Sequence, residues 1–179
     1  EDKLTDLAAE NRPFNFTMLT VDTHFEDGHS CRLCPSDNGD NKYANVMHCS
    51  SQQVVRFVHW IQDQDFYDNT TIIISGDHPT MDKDFCNDID ENYQRKVYTC
   101  IVNAPISPMD GERRREFTTL DMFPTTLAAL NVKIPGDRLG MGTNLYSTED
   151  TLAEKDGVDK INEEITYKSA LMRTLYDGN

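Results

Sequence analysis

The sequence predicts an α/β fold in which a mixed, mostly parallel sheet carries helices on both faces. Residues 71–74 are a run of β-branched side chains without polar alternation, which is typical of a strand buried on both faces. Residues 54–61, which have apolar positions at helical spacing, come shortly before this strand. A helix that leads into a buried strand is the repeating unit of a doubly wound sheet.

Two more segments are predicted to be strands. Residues 14–21 are rich in aromatic and aliphatic side chains and end directly before Asp22. Residues 97–102 are similarly apolar, and the Asn103-Ala104-Pro105 sequence ends them. Together with residues 71–74 they would form the core of the sheet.

Helices are predicted on either side of these strands. Residues 5–10 are predicted to be the end of a first helix, and Ser50 with Gln53 offers a capping box for the second. Two later helices are predicted from apolar residues at helical spacing, which are Leu120, Phe123, Leu127 and Leu130 in one and Ile161, Ile165, Met172 and Leu175 in the other. We expect the first of these stripes to be core. The last helix would either pack on the sheet or bind another part of the protein.

An acidic residue and a histidine follow the buried strand at once. Asp77 and His78 come directly after Gly76, and the ligand crevice of an open parallel sheet lies outside the carboxyl ends of its strands. A carboxylate oxygen beside an imidazole suits a divalent metal in a phosphate-handling site. The alternative is an ordinary turn, with a capping aspartate beside a loop histidine. Spacing alone leaves both interpretations open.

The end of the strand predicted at residues 14–21 carries the same residue types. Asp22 and His24 follow it, and His29 lies in the same loop. Asp22 and His24 are two residues apart, so they share a face if the strand continues through them. Two strands therefore deliver an acid and an imidazole just past their carboxyl ends.

This order of motifs resembles the periplasmic phosphoglycerol transferases that modify osmoregulated glucans. The residues that carry the resemblance are Val21-Asp22-Thr23-His24, Cys34, Cys49, the helix after Cys49, and Ile74-Ser75-Gly76-Asp77-His78. The pattern is similar, more loosely, to lipoteichoic acid synthases and to the wider sulfatase and alkaline phosphatase superfamily. Residues 119–127 match a late helix of that superfamily. The resemblance extends over about residues 13–145.

The resemblance implies a fold and a set of site residues. Residues 1–179 would be a single partial catalytic domain, the carboxy-terminal part of an alkaline phosphatase/sulfatase-like domain. Asp77 and His78 would be metal ligands, with Mn²⁺ favoured and Mg²⁺ or Zn²⁺ as alternatives. His24 matches a histidine on the substrate side. Asp22 would support the ligands or, as in two-metal relatives, be one itself, and His29 ranks below His24 as a substrate-binding residue.

The implied reaction transfers a phosphoglycerol group from phosphatidylglycerol to a glycan or polyglycerol-phosphate acceptor through a phosphorylated threonine. The nucleophile and a further carboxylate would come from an upstream half, so we expect this chain alone to bind metal weakly and to turn nothing over. Upstream membrane helices would place the catalytic domain outside the cell membrane, in an extracellular or periplasmic position. A sulfatase or phosphomonoesterase of the same superfamily is one alternative. A non-catalytic binding domain that has kept the fold is another.

Composition limits the partners of this chain. A net charge of −14 over 179 residues argues against nucleic acid and against passive adhesion to anionic lipid. No apolar stretch approaches the ~20 residues that a spanning helix needs. Arg113, Arg114 and Arg115 form the only dense basic cluster in the sequence, and a solvated turn is favoured there over a patch that attracts anions.

The five cysteines permit both metal binding and disulfides. Cys31 and Cys34 form a CxxC without a second CxxC to complete a structural zinc site. His29 and His48 lie close enough in sequence to leave a mixed Cys/His zinc site open.

The family resemblance favours a disulfide between Cys34 and Cys49 instead. Closing a loop of this length would stabilise the fold by ~3 kcal/mol in the chain-entropy treatment. A second bridge between Cys86 and Cys100 is possible, although connectivity does not follow from spacing.

Overall fold

The computed structural model describes residues 1–111 and 114–177, which form two compact units, residues 1–103 and the residues from 104 onward. The elements of the first unit are α1 (Asp2–Ala9), α2 (Lys42–Gln62), a 3₁₀ turn (Tyr67–Asn69), β1 (Ile72–Ser75) and β2 (Thr99–Val102). Those of the second are two 3₁₀ turns (Thr119–Asp121 and Pro135–Asp137), α3 (Met122–Ala129), β3 (Arg138–Leu139), β4 (Gly142–Thr143), α4 (Leu152–Asp156), α5 (Val158–Glu164) and α6 (Ala170–Asp177). The single partial catalytic domain stays a prediction.

Helix α2 supplies most of the buried side chains of the first unit. It begins after Asn41, whose side-chain oxygen accepts a hydrogen bond from the backbone N–H of Ala44 at 2.9 Å. The predicted capping box at Ser50 is wrong, because Ser50 is buried in the interior of α2. The buried apolar side chains of the helix are Tyr43, Val46, Cys49 and Ile61.

Strands β1 and β2 form a two-stranded antiparallel sheet, with Ile73 opposite Ile101. The second sheet, β3 with β4, is also two-stranded and antiparallel. A mostly parallel sheet with helices on both faces is therefore not confirmed within the described residues. The three isoleucines of β1 stay partly exposed, so the expected burial of both faces is not reached there.

The strand predicted at residues 14–21 is not formed. A strand needs a neighbour that accepts and donates its backbone hydrogen bonds, and within the described residues neither sheet extends beyond two strands. The apolar side chains of residues 14–21 are exposed, Leu19 by 75% and Val21 by 57%. Residues 14–21 have the apolar side chains of a strand, but no strand of the described residues pairs with them.

Helix α3 buries a different face from the one predicted. Leu120, Phe123 and Leu130 are exposed, whereas the buried residues of α3 are Pro124, Thr125, Ala128 and Ala129. Polar contacts determine which face of α3 is buried. The N–H of Thr143 donates to Asp121 Oδ1 at 2.7 Å, and the N–H of Leu145 donates to Thr125 Oγ1 at 3.0 Å. These bonds hold β4 and the residues just after it against one side of the turn and helix, which leaves Leu120, Phe123 and Leu130 exposed.

The end of the chain forms separate short helices instead of one. Residues 165–169 are turn and irregular structure between α5 and α6, in the middle of the predicted last helix. Ile161 is buried, but Ile165, Met172 and Leu175 are exposed. The predicted continuous apolar stripe is therefore wrong beyond Ile161.

Arg115 belongs to a largely buried ion pair and not to a solvated turn. Its guanidinium donates to both carboxylate oxygens of Glu154, at 2.9 and 3.0 Å, and each side chain is only 10% exposed. It also donates to the carbonyl of Ser147 at 2.7 Å. Arg114 is exposed, and Arg113 lies outside the described residues. Arg115 thus joins segments of the second unit that are far apart in sequence.

We predict that Arg115→Ala destabilises the protein by about 3 kcal/mol, because it leaves the carboxylate of Glu154 largely buried without its cation. Urea unfolding followed by circular dichroism measures this loss. Arg114→Ala removes an exposed arginine beside it and should change the free energy of unfolding by less than about 0.5 kcal/mol. Equal effects of the two substitutions would contradict the structural role of Arg115.

We also predict a pH dependence from Glu154. Burial raises the pKa of this carboxyl, but hydrogen bonds from Arg115 and the N–H of Thr151 outweigh it and lower the pKa from 4.5 to about 2. A depressed folded pKa contributes stability that is complete above the unfolded pKa and is lost as the pH falls towards the folded one. The stability advantage over Glu154→Gln should therefore shrink by about 2 kcal/mol between pH 7 and about pH 3. An advantage that is independent of pH would contradict this assignment.

Candidate active site

The predicted metal ligands lie just beyond β1. The N–H of Gly76 donates to the carbonyl of Tyr98 at 2.9 Å, which continues the pairing with the second strand for one residue. Asp77 and His78 then leave the sheet with side chains 76% and 56% exposed. The position at the carboxyl end of a strand agrees with the prediction.

Asp77 and His78 can bind one cation together. Asp77 Oδ2 lies 3.5 Å from His78 Nε2. Two ligand atoms that are each about 2.1 Å from the same ion are separated by roughly 3.0–3.4 Å, so only a small movement is needed. Asp77 Oδ1 accepts the backbone N–H of His78 at 2.9 Å, which orients the carboxylate.

Asp22, His24 and His29 lie on one tight loop. The N–H of His29 donates to the carbonyl of Asp22 at 2.7 Å and closes the loop on itself. Gly28 is needed there, because its φ is 63° and a Cβ would lie 2.7 Å from both the Asp22 oxygen and a methyl group of Val46. The loop therefore rests with its backbone directly against α2.

Two histidines bind a backbone carbonyl through the same ring atom, Nδ1. His78 Nδ1 lies 2.8 Å from the carbonyl of Pro79, and His24 Nδ1 lies 2.6 Å from the carbonyl of Phe25. A carbonyl only accepts hydrogen bonds, so Nδ1 carries the proton in each neutral ring. Nε2 is then unprotonated, the form that binds a metal or accepts a proton.

Tyr43 of α2 connects the two candidate loops. Its hydroxyl donates to the carbonyl of Thr23 at 2.8 Å and lies 2.7 Å from Thr80 Oγ1. The first contact is one residue from His24 and the second is two residues from His78. Tyr43 itself is only 4% exposed. A rigid buried phenol thus holds both segments to one helix.

Asp82 forms a second connection between the loops. Its buried carboxylate accepts the N–H of Phe85 at 2.9 Å and the N–H of Asp27 at 3.1 Å. These two backbone hydrogen bonds, that of Phe85 first, lower the pKa of Asp82. An ionised carboxylate therefore links the loop after β1 to the loop that carries His24.

The five predicted site residues do not converge into one metal cluster. Within residues 1–111 and 114–177, the one group of three or more potential metal ligands within 4.8 Å of each other is Cys31, Cys34 and Cys49. The structure thus brings Asp77 and His78 together as a pair. Asp22, His24 and His29 share a separate loop.

Neither predicted disulfide is formed, because all five cysteines are free thiols. Cys34 and Cys49 are not an isolated pair, because Cys31 lies beside both. The Sγ of Cys31 lies 3.8 Å from that of Cys34 and 3.9 Å from that of Cys49. The N–H of Leu33 lowers the pKa of Cys31, while hydrogen bonding to Cys34 and burial raise the pKa of Cys49 to about 12.

The sulfatase family profile matches residues 2–132, which include both candidate loops. This chain belongs to the sulfatase family. The family resemblance predicted from the motifs is thereby confirmed.

Several relatives are named phosphoglycerol transferase I. That of Xanthomonas campestris pv. campestris is 30% identical over 154 residues, which cover 83% of this chain and 21% of the relative. That of Xanthomonas euvesicatoria is 29% identical over 154 residues, which again cover 83% of this chain and 21% of the relative. That of Citrobacter koseri is 31% identical over 84 residues, 44% of this chain and 11% of the relative. The chain spans about a fifth of the length of the Xanthomonas proteins.

No solved structure shows significant similarity to the chain. No helix in the described ranges combines the length and the hydrophobicity that crossing a bilayer requires.

Tyr43 and Asp82 were not predicted from the sequence of this sulfatase-family chain. Tyr43 stands in the first turn of α2 and Asp82 in an acidic loop, so neither belongs to a recognisable motif. Their partners are largely backbone groups of distant segments. A tyrosine and an aspartate with such partners have no local sequence signature.

We predict that Tyr43→Phe loosens both loops while keeping the aromatic ring in the core. Amide hydrogen exchange should become faster in residues 22–29 and 77–82, because the hydroxyl contacts to Thr23 and Thr80 are lost. Tyr93→Phe makes the same chemical change on an exposed loop residue and serves as the control. Unchanged exchange in both loops of Tyr43→Phe would rule out this connection.

Proposed function

We propose that this chain forms part of a metal-dependent phosphoglycerol transferase of the cell envelope. The observation that carries the proposal is the Asp77–His78 pair just beyond β1, where Nδ1 of His78 is bound to the carbonyl of Pro79 and Nε2 lies 3.5 Å from the Asp77 carboxylate. Similarity to proteins named phosphoglycerol transferase I over 83% of the chain supports the reaction class.

The proposed donor is phosphatidylglycerol, and the proposed acceptor is a glycan or a polyglycerol phosphate. Both donor and product carry a negative phosphodiester, and this chain has a net charge of −14. Local positive charge is therefore required to hold the phosphate, which supports a divalent cation in the site. The membrane would be reached through segments outside this chain, with the catalytic domain in an extracellular or periplasmic position.

Mn²⁺ is the proposed cation, with Mg²⁺ or Zn²⁺ as alternatives, because the pair offers one hard oxygen and one imidazole nitrogen. When bound, it would supply Lewis-acid stabilisation of the phosphoryl oxygens and lower the pKa of an attacking hydroxyl. Asp77 and His78 are two ligands. The remaining ligands and the threonine nucleophile are proposed to lie in another part of the protein, so the isolated chain would bind the metal weakly and would not turn over.

His24 is the proposed proton-transfer and substrate-binding residue. With Nδ1 engaged by the carbonyl of Phe25, its Nε2 can accept a proton from a hydroxyl group. Once protonated, the same atom can donate to the departing oxygen. Asp22, which is partly exposed two residues before it, would support the metal ligands or be a ligand itself. His29 is exposed on the same loop and would contact the substrate at its edge.

We predict that His78→Ala abolishes diacylglycerol release from phosphatidylglycerol by the full-length protein in Mn²⁺. The rate should fall by at least ~100-fold, beyond the usual effect of a residue outside the ligand set. His59→Ala replaces an exposed histidine on α2 and should retain the activity. A folded His78→Ala protein with the parental rate would exclude the proposed metal site.

The family match also permits hydrolysis of a sulfate ester or a phosphomonoester. The same preparations should therefore be assayed with an aryl sulfate and an aryl phosphate. Turnover of either substrate that depends on His78, without release of diacylglycerol, would replace the transferase with the corresponding hydrolase. Absence of all three activities in the folded, metal-loaded protein would favour a binding domain.

A further inference from the structure

We propose that Cys31, Cys34 and Cys49 form a zinc-binding site that is separate from the Asp77–His78 pair. Their sulfur atoms all lie within 4.8 Å of one another. Cys31 and Cys34 come from one CxxC turn, and Cys49 comes from α2. Such a site would fasten the loop that follows His29 to the central helix.

The sulfur separations match zinc. Two thiolates bound to one tetrahedral Zn²⁺ with Zn–S bonds of about 2.3 Å lie about 3.8 Å apart. The observed Sγ separations from Cys31 are 3.8 Å to Cys34 and 3.9 Å to Cys49. One cation at the centre of the cluster can therefore bind all three sulfurs with little movement. A disulfide would use only two of them.

Hydrogen-bond donors surround the sulfur atoms as in a thiolate site. The N–H of Leu33 donates to Cys31 Sγ at 3.4 Å, and the N–H of Cys31 donates to Cys34 Sγ at 3.2 Å. Gln53, one turn after Cys49 on α2, donates from Nε2 to Cys49 Sγ at 3.4 Å. Donors of this kind stabilise sulfur as an anion and fix its orientation.

Charge also favours a cation at this cluster. Three thiolates this close would repel one another strongly, and one divalent ion offsets most of that repulsion. Cys49 is 2% exposed, whereas Cys31 is exposed. The ion can therefore enter from the Cys31 side, and water can occupy the fourth position there. Binding would release the thiol protons.

His48 does not complete the site. Its Nε2 lies 3.0 Å from Gln52 Nε2, and its Nδ1 lies 3.8 Å from the carboxylate of Asp37. His29, the other histidine of the mixed Cys/His site that the sequence left open, is also outside the group of ligand atoms within 4.8 Å of one another, so the proposed site has three sulfurs. Soft thiolate ligands favour zinc over Mn²⁺, so the two proposed metal sites differ in their preferred ion.

The test measures zinc in the full-length protein, prepared without chelator, on a His78→Ala background that removes the other candidate site. Zinc absorption-edge spectroscopy should show three sulfur neighbours at about 2.3 Å. Cys31→Ser should weaken zinc binding by at least ~100-fold, and Gln53→Leu, which removes a donor outside the ligand set, by about tenfold. Cys86→Ser changes a cysteine outside the cluster and should bind zinc like its parent.

Two results would overturn the proposal. One is equal zinc binding by the Cys31→Ser and Cys86→Ser proteins. The other is a zinc-free parent in which mass spectrometry after thiol alkylation shows two of the three clustered cysteines joined as a disulfide. The absorption spectrum of the unsubstituted cysteine cluster needs no cysteine variant, so it decides the matter even if Cys31→Ser does not fold.

Discussion

The contact of the Tyr43 hydroxyl with Thr23 and Thr80 is the interaction on which the candidate site depends. Both loops lack regular secondary structure, and their histidines are exposed. Without a common support their separation would vary. Tyr43 is buried in the first turn of α2, so the longest helix of the chain fixes the position of both loops. The ionised carboxylate of Asp82 adds a second link between the two loops, through the N–H groups of Asp27 and Phe85.

The sequence predicted those parts of the site that depend on neighbouring residues along the chain. The Asp77–His78 pair follows a β-branched run directly, so its place beyond a strand could be predicted. Residues 14–21 have an equally apolar pattern but form no strand, because strand formation depends on a neighbour that the pattern does not specify. The buried face of α3 was missed for a related reason. Hydrogen bonds to Asp121 and Thr125 from β4 and the residues just after it decided which face is buried, and those bonds join residues about 20 positions apart.

The two units are stabilised by polar groups as well as by apolar packing. In the first, Tyr43 and Asp82 bind backbone atoms of the two candidate loops, and a zinc ion at the three cysteines would add a third connection to α2. In the second, Arg115 holds α4 through Glu154 and the segment before α4 through the carbonyl of Ser147. A chain with 37% hydrophobic residues and a net charge of −14 has little apolar surface to bury, so buried polar connections carry more of the folding specificity.

The central claim is that Asp77 and His78 hold the catalytic cation. The most direct measurement is a crystal structure of the Mn²⁺-loaded full-length protein with the ion located by its anomalous scattering. We expect a manganese peak within bonding distance of the Asp77 carboxylate and of His78 Nε2, with Nδ1 of His78 still bound to the carbonyl of Pro79. A fully occupied manganese site elsewhere in the protein, with Asp77 and His78 bound to no ion, would contradict it.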